Sequence, residues 1–205
     1  MIDVTLKIAL TVRNNPGKFA LLIGSGLSQS AGIPTGVEVV RSILSELARA
    51  SGVDTPDPTE WYRLHFGEDP NYSRLLEKIS QTRTERKGVL QKYYEATPEE
   101  RAKGVKVPTA AHRAIASLVL KGYFRMIVTT NFDRLLEKAL EEEGVIADVV
   151  STEDAIWSGA LNYIHSACTI WKINGDYKDC LLYTSDAADD LLCVDLGGRR
   201  ILKQK

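Results

Sequence analysis

The sequence predicts an α/β protein with a doubly wound (Rossmann-like), mostly parallel sheet and one helical insertion. Short, continuous apolar runs predict strands that are buried in such a sheet, as in FALLIG at 19–24 and RMIVTT at 125–130. Between them lie amphipathic segments, of which the clearest is GVEVVRSILSELARA at 36–50, with apolar residues at helical spacing. Strands that alternate with helices are typical of a doubly wound sheet.

The other elements are predicted in chain order. A helix over 4–13 ends before Pro16, and the first strand, 19–24, precedes the helix at 36–50. A loop rich in Pro and Asp starts at Ser51, and we expect residues 51–107 to form a helical insertion that covers the sheet. Its helices are predicted near 72–81 and 84–96 and are followed by a basic loop. Later come a helix at 110–122, the strand at 125–130, a helix at 131–144 with Asn131 as its N-cap, and strands at 147–151 and 168–173.

Composition narrows the class of protein. The chain has 205 residues, 44% of them hydrophobic and 26% charged, and a formal net charge of −1. This balance gives no reason to expect nucleic acid or an anionic membrane surface as a partner. No apolar run is long enough to span a membrane, and Asp3 and Lys7 interrupt any signal peptide, so we expect a cytoplasmic protein. The three cysteines lack C-x-x-C spacing, so neither zinc nor another metal is expected.

The first candidate site follows the first strand, in LLIGSGLSQSAGIPTG at 21–36. Gly24 and Gly26 would let backbone N–H groups approach a pyrophosphate, and Ser28 adds a hydroxyl. A plain glycine turn is the alternative. The segment has neither G-x-G-x-x-G nor G-K-[ST], which disfavours an ordinary Rossmann dinucleotide site and a P-loop.

Two further polar motifs follow predicted strands. VTTNFDRLLEKAL places Asn131 and Asp133 at the carboxyl end of one strand, where ligands bind in open α/β sheets. TIWKINGDY places Asn174, Gly175 and Asp176 after another. Taken singly, the first motif is also what a helix cap requires and the second is a turn signal. Three such motifs at one edge of a sheet favour a binding site.

In combination and in order, G-S-G-L-S…G-I-P, T-T-N-F-D and K-I-N-G-D resemble the sirtuin (silent information regulator-like) NAD-binding domain. The pattern of that family is G-A-G-I-S…G-I-P-D-F-R, T-Q-N-I-D and L-H-G, and the resemblance covers about residues 19–179. It implies NAD as substrate or ligand. It also implies that the catalytic positions are Asn131 and Asp133, which face the nicotinamide and its ribose, and Asn174. The NAD-binding positions that it implies are Gly24, Ser25, Gly26, Ser28, Gly32, Ile33, Pro34, Thr129, Thr130 and Gly175.

The departures from the family pattern are informative. Thr35-Gly36-Val37 replaces the Asp-Phe-Arg of the protein deacetylases, their zinc cysteines are missing, and Thr130 replaces a glutamine. The helical insertion resembles the divergent prokaryotic branch that is often found in anti-phage defence proteins and is associated with NAD hydrolysis. Asn174 stands where the family has its catalytic histidine, and an amide cannot accept a proton as imidazole does. His65, His112 and His165 are expected to be ordinary surface or packing residues, with His165 the best placed substitute.

These expectations give one leading function and two alternatives. The leading function is hydrolysis of NAD to nicotinamide and ADP-ribose, with a fused or associated defence domain downstream. The first alternative is a non-catalytic module that senses NAD or ADP-ribose, which Asn174 favours. The second is a protein deacylase, which the missing Asp-Phe-Arg and zinc cysteines disfavour. A homo-oligomer is left open.

The C-terminal segment does not resemble a domain. CLLYTSDAAD at 180–189 and VDLGGRRI at 194–201 resemble translations of the two ends of a transposase adapter used to prepare sequencing libraries. We therefore expect residues 1–179 to be the sirtuin-like domain, incomplete at its C-terminal end, and residues 180–205 to be a non-native tail. The alternative is that the tail forms a true hairpin or helix.

Overall fold

A parallel β-sheet organises the chain. The computed structural model describes residues 3–152, 155 and 166–178. The strands are β1 (Phe19–Ile23), β2 (Phe124–Thr129), β3 (Ala147–Val150) and β4 (Cys168–Lys172). Their order is β1-β2-β4-β3, and all three pairings are parallel. The carboxyl ends of the strands therefore lie along one edge, and the prediction of an α/β, Rossmann-like fold is confirmed.

Helices occupy most of the chain between these strands. They are α1 (Val4–Asn14), α2 (Gly26–Gln29), α3 (Gly36–Ala50), α4 (Pro58–Phe66), α5 (Tyr72–Ile79), α6 (Arg83–Tyr94), α7 (Pro98–Ala102), α8 (Ala110–Leu120) and α9 (Leu135–Glu142). Residues 51–107 hold α4 to α7, which we call the helical insert. The sequence did not predict α4 or α7, because each begins in a Pro-containing segment that resembled a loop. Proline is favourable at the first helical position, where its missing N–H needs no partner.

Threonine caps start four of these helices. Thr35, Thr82, Thr97 and Thr109 each accept a hydrogen bond from the backbone N–H three residues later, and the side chain of that later residue returns to the cap. In the first three this residue is a glutamate and in the last it is His112. Such a capping box satisfies two backbone donors that a helix start leaves unpaired.

Strand β1 is more exposed than its sequence predicts. We expected the FALLIG run to be buried on both faces, but Leu22 is 77% exposed and Phe19 39%. The reason is the strand order: β1 lies at an edge of the four-stranded sheet and pairs only with β2 among the described strands. A continuous apolar run therefore predicted the strand correctly, but the prediction that it is buried on both faces is wrong.

Two apolar clusters hold the layers together. One joins α3 to the helical insert, with Leu44, Tyr62 and Leu75 fully buried. The other packs α8 and α9 on the sheet around Ile127 and Ile170. Each fully buried side chain of this size contributes about 1.5–3 kcal/mol relative to an exposed one. The clusters fix the strands, and so also the loops that leave their carboxyl ends.

Candidate active site

The three polar motifs meet at the carboxyl edge of the sheet. Two backbone hydrogen bonds join them: Thr130 donates to the Ile23 carbonyl at 3.2 Å, and Ile173 donates to the Thr129 carbonyl at 3.0 Å. We call the segments that follow β1, β2 and β4 the glycine loop (residues 24–34), the Asn131 loop (130–134) and the Asn174 loop (173–176). Parallel pairing brings these three loops, far apart in sequence, to one crevice.

Asn131 lies at the centre of this arrangement. It is 8% exposed, its backbone N–H donates to Thr129 Oγ1 at 3.0 Å, and its side-chain Nδ2 donates to Ser28 Oγ at 3.2 Å. Its Oδ1 is buried and accepts no hydrogen bond from the residues that the structure describes. A buried acceptor left without a donor costs about 1–3 kcal/mol. The atom is therefore suited to accept a hydrogen bond from a bound ligand.

The N-cap predicted at Asn131 is wrong. Helix α9 begins at Leu135, four residues later, and the side chain of Asn131 points to the glycine loop instead. Asp133 serves the helix start, because its Oδ1 accepts from the backbone N–H of Leu135 at 3.0 Å. Asp133 is 4% exposed, so a carboxylate is held close to Asn131.

His112 belongs to the site, which the sequence did not predict. It is fully buried, and its Nε2 lies 3.3 Å from Ser28 Oγ. The backbone N–H of Thr109 donates to His112 Nδ1 at 3.2 Å. Since Nδ1 is therefore the acceptor, we assign the proton to Nε2, which donates to Ser28. Ser28 Oγ then accepts from both His112 and Asn131, so the histidine fixes the group that orients the asparagine.

Burial keeps this imidazole neutral. It lowers the pKa of His112 below its ordinary value; the charge of Asp133 opposes this effect and that of Arg113 adds to it. The neutral form is the one that the assigned hydrogen bonds require. No local pattern marks His112 for this role, since its partner Ser28 lies 84 residues away. The only sequence signal is its place three residues after the capping Thr109.

Asn174 bridges two of the loops. Its Nδ2 donates to the Thr130 carbonyl at 3.2 Å, while the side chain remains exposed. Its amide oxygen is not used in that bond and can accept from a ligand. The next residue, Gly175, is buried with φ of +87°, in the left-handed region where other residues are strained. This glycine is therefore needed for the turn that presents Asn174.

The glycine loop combines an open part and a packed part. Gly24, Ser25 and Gly26 are exposed, and a side chain added at Gly26 would meet no atom within 4 Å, so this backbone is open to a ligand. At the packed end, Gly32 has φ of +78°, and an added Cβ would lie 3.1 Å from Val105 Cγ1.

The other predicted binding residues have packing or hydrogen-bonding partners. Ile33 belongs to the buried cluster around α3, Pro34 is half-buried beside it, and Thr129 holds the Asn131 backbone. Thr130 gives its backbone N–H and its carbonyl to the neighbouring loops.

The helical insert contacts the glycine loop, the Asn131 loop and the residue that follows the Asn174 loop. The backbone N–H of Lys106 donates to the Ala31 carbonyl of the glycine loop at 2.6 Å. The ring of Phe132, in the Asn131 loop, stacks on Tyr72 at 5.5 Å and lies 6.2 Å from Tyr94. Just beyond the Asn174 loop, Tyr177 packs on Tyr94, with its ring centroid 5.6 Å away.

Two phenols of this contact stay protonated at neutral pH. Burial raises the pKa of Tyr94 to about 12. Burial, with a hydrogen bond to Glu95 and the charge of that carboxylate, also raises the pKa of Tyr177, whose O–H donates to Glu95 Oε1 at 2.7 Å. Both side chains therefore remain uncharged and packed.

Two features are absent from the described part of the chain, a cluster of metal-binding side chains and a membrane-spanning helix. Within residues 3–152, 155 and 166–178, no group of three or more His, Cys, Asp or Glu side chains could hold a metal ion. Over the same residues, no helix is long and apolar enough to cross a membrane. His165 and the two cysteines of the tail lie outside the described residues.

Fold and crevice define an α/β domain with polar loops at the carboxyl ends of its parallel strands, the position at which open α/β sheets bind ligands. A profile of the SIR2-like domain family matches residues 125–193, a range that also includes residues 180–193 of the tail. Two relatives share 28% identity with the chain, and both are called NAD(+) hydrolase ThsA. One, from Acinetobacter baumannii (strain 532279), aligns over 158 residues, 77% of this chain and 27% of the relative. The other, from Bacillus cereus (strain MSX-D12), aligns over 160 residues, 78% of this chain and 28% of the relative.

These matches confirm the predicted resemblance to the sirtuin-like family: residues 125–193 are similar to the SIR2-like domain, and the two relatives are prokaryotic proteins. The chain spans little more than a quarter of the length of these two relatives.

Proposed function

We propose that this domain binds NAD and hydrolyses it to nicotinamide and ADP-ribose. The observation that carries the proposal is the buried Oδ1 of Asn131, which lacks a donor among the described residues and lies where the three loops meet. A ribose hydroxyl or a water molecule is the kind of donor that this atom needs. The names of the two relatives, both NAD(+) hydrolases, support the same substrate.

Each loop has a part in this proposal. The exposed backbone at Gly24 to Gly26 would hold the diphosphate. Asn131, oriented by Ser28, would hold the nicotinamide ribose or the attacking water. The oxygen of Asp133 that does not cap α9 would accept from the nicotinamide carboxamide.

The reaction breaks the bond between ribose C1′ and the nicotinamide nitrogen. Its electron pair leaves with nicotinamide, which departs neutral, and positive charge develops on the ribose in an oxocarbenium-like transition state. Water then forms the new C1′–O bond and releases its proton. Asn174 can orient the ribose but cannot take that proton, so the proton passes to solvent, to which Asn174 is exposed. Positioning and electrostatic stabilisation therefore supply the catalysis.

Nicotinamide release from NAD by the purified chain tests the proposal. Asn131→Ala should lower turnover by at least about 100-fold, as the loss of a preorganised polar group does. Asn15→Ala is the matched control. Asn15 is exposed and precedes β1, so it lies at the amino ends of the strands, away from the three loops. Release that persists unchanged in Asn131→Ala would contradict the proposed site.

A second candidate is a module that binds NAD or ADP-ribose without turnover. The observation that favours it is Asn174, whose amide bonds to the Thr130 carbonyl where the family has a base. Calorimetry separates the two candidates: a sensor binds NAD tightly and releases no nicotinamide. A deacylase would consume NAD only with an acyl-lysine substrate.

For the complete protein, we propose a role in defence against phage, because the domain resembles the divergent prokaryotic branch that is often found in anti-phage defence proteins. The domain would be the NAD-consuming part, with further domains or an associated protein supplying the trigger. The test is cellular NAD after phage infection: NAD should fall with the intact gene and hold steady with Asn131→Ala.

A further inference from the structure

Lys172, the last residue of β4, is almost completely buried. Its ammonium lies 2.6 Å from the Asp133 carbonyl, 2.9 Å from Asp176 Oδ2 and 2.9 Å from Glu137 Oε1. The Phe132 carbonyl is at 3.4 Å. Lysine has three N–H donors, and the hydrogen bonds to Phe132, Asp133 and Asp176 use all three, while Glu137 adds an ion pair. Lys172 directly precedes Ile173, at which the L-H-G pattern of the family begins.

Stability alone does not explain a charge at this position. Earlier residues of the same strand, Cys168 and Ile170, are fully buried in the apolar cluster. Taking charges out of water is costly, and a well-packed apolar pair of similar volume often gives an equally stable protein. The strand changes from apolar to charged at the residue that precedes the Asn174 loop, which suggests a geometric role.

The contacts of Lys172 reach both asparagine loops. The carbonyls of Phe132 and Asp133 belong to the two residues that follow Asn131, so the ammonium holds the backbone on which Asn131 depends. Asp176 ends the Asn174 loop. One cation therefore fixes the separation between the two loops.

The acidic partners are held from other sides as well. Arg134 Nε lies 2.9 Å from Asp176 Oδ2 and 3.6 Å from Glu137 Oε1. Asp176 Oδ1 accepts from the backbone N–H of Lys178 at 2.9 Å. The four side chains, which we call the Lys172 cluster (Lys172, Asp176, Glu137 and Arg134), balance two positive and two negative charges. Asp176 is thus held by Lys172, by Arg134 and by the Lys178 backbone, which restricts its geometry as a positioning role requires.

We propose that Lys172 is a positioning residue for catalysis, which acts through the backbone of the Asn131 loop without touching NAD. The kinetic part of this inference rests on the proposed function. Losing the cluster would misplace Asn131 relative to the ribose while leaving the glycine loop able to bind the diphosphate. The expected signature is a fall in kcat with an unchanged KM.

The test compares the double variant Lys172→Met/Asp176→Leu with Ile170→Val. The double variant removes one charge of each sign and leaves Arg134 and Glu137 to pair with each other. Ile170→Val is the matched control, because it weakens the packing of the same buried strand without touching either loop. The measurements are kcat and KM for NAD, the melting temperature, and hydrogen exchange of the amides at 129–135.

In the double variant we expect kcat to fall about 10- to 100-fold, KM to stay unchanged, and the amides at 129–135 to exchange faster. Ile170→Val should lower the melting temperature and leave kcat intact. The inference is overturned if kcat of the double variant equals that of the parent, or if kcat follows the melting temperature in both variants.

A second variant and the hydrogen-exchange measurement test the positioning role if the double variant fails to fold or if the parent chain is inactive. If the double variant fails to fold, Asp176→Asn, which keeps the shape and removes the charge, should show the same kcat loss; an unchanged kcat there refutes the role. If the parent chain releases no nicotinamide, the proposed function fails. Hydrogen exchange at 129–135 then decides the positioning claim, and exchange as slow as in the parent rejects it.

Discussion

Replacing Asn174 with histidine should give the site a general base. In the structure, Asn174 Nδ2 donates to the Thr130 carbonyl at 3.2 Å. Histidine Nδ1 lies at the same number of bonds from the backbone, so its N–H can make that hydrogen bond. The tautomer is then fixed with Nε2 unprotonated, and the ring nitrogen that can accept a proton faces away from Thr130.

The expected increase in kcat depends on the exposure of the side chain at position 174. Because position 174 is exposed, the new imidazole should keep a pKa near its ordinary value of about 6.5, so about nine-tenths of it is neutral at pH 7.5. A positioned base contributes about 10²- to 10⁴-fold. Nicotinamide is already a fair leaving group, so we expect the lower end: an increase in kcat of about 100-fold, or ~2.7 kcal/mol of barrier.

The assay is nicotinamide release as a function of pH for the parent, Asn174→His and Asn174→Gln. The histidine variant should gain a limb that rises with an apparent pKa near 6.5. The glutamine variant, which has an amide and no base, should not. Equal or lower turnover in Asn174→His with intact NAD binding would show that position 174 is not beside the reacting bond.

Four further predictions concern other parts of the chain. The lowered pKa of His112 means that its contribution to stability is complete above about pH 6.5 and is lost as pH falls below it, by at most ~1.4 kcal/mol per pH unit. Melting temperatures should therefore fall less steeply with acid in His112→Gln. Tyr177→Phe removes the hydrogen bond to Glu95 and should cost about 1.5 kcal/mol in urea unfolding; no change would show that the bond is dispensable. Burial raises the pKa of Cys168 to about 11, so mass spectrometry should find it unlabelled by iodoacetamide until the protein unfolds. The genomic locus, sequenced without transposase adapters, should diverge from this sequence after Asp179; the same codons would refute the tail assignment.

The sequence was sufficient for the strands and for the meeting of the three loops. Apolar runs marked β1, β2 and β4, and the polar residues after each run indicated one shared edge. Strand order is not a local property, and so the exposure of Leu22 on the edge strand could not be predicted. The sequence does not predict the starts of α4 and α7, because each helix begins with a proline, a residue that is also typical of loops.

At the candidate site, the important hydrogen bonds join residues that are far apart in the sequence, and the sequence alone does not predict such partners. Asn131 resembles an N-cap in sequence, since a helical pattern follows it. Its true partner is Ser28, 103 residues away, and Asp133 provides the acceptor for the helix start. For the same reason, the sequence does not predict the contacts that His112 and Lys172 make with the loops. Their roles depend on which groups the fold brings to them.

The contacts of the helical insert have a thermodynamic consequence. Through Lys106, Tyr94 and their neighbours, the insert touches the segments that follow β1, β2 and β4. If the proposed NAD binding differs in affinity between two arrangements of the insert, a molecule that shifts the insert changes the affinity for NAD by some factor. By linkage, NAD must change the affinity for that molecule by the same factor. In that case the insert and the crevice respond as one unit, and a ligand bound at either is measurable at the other.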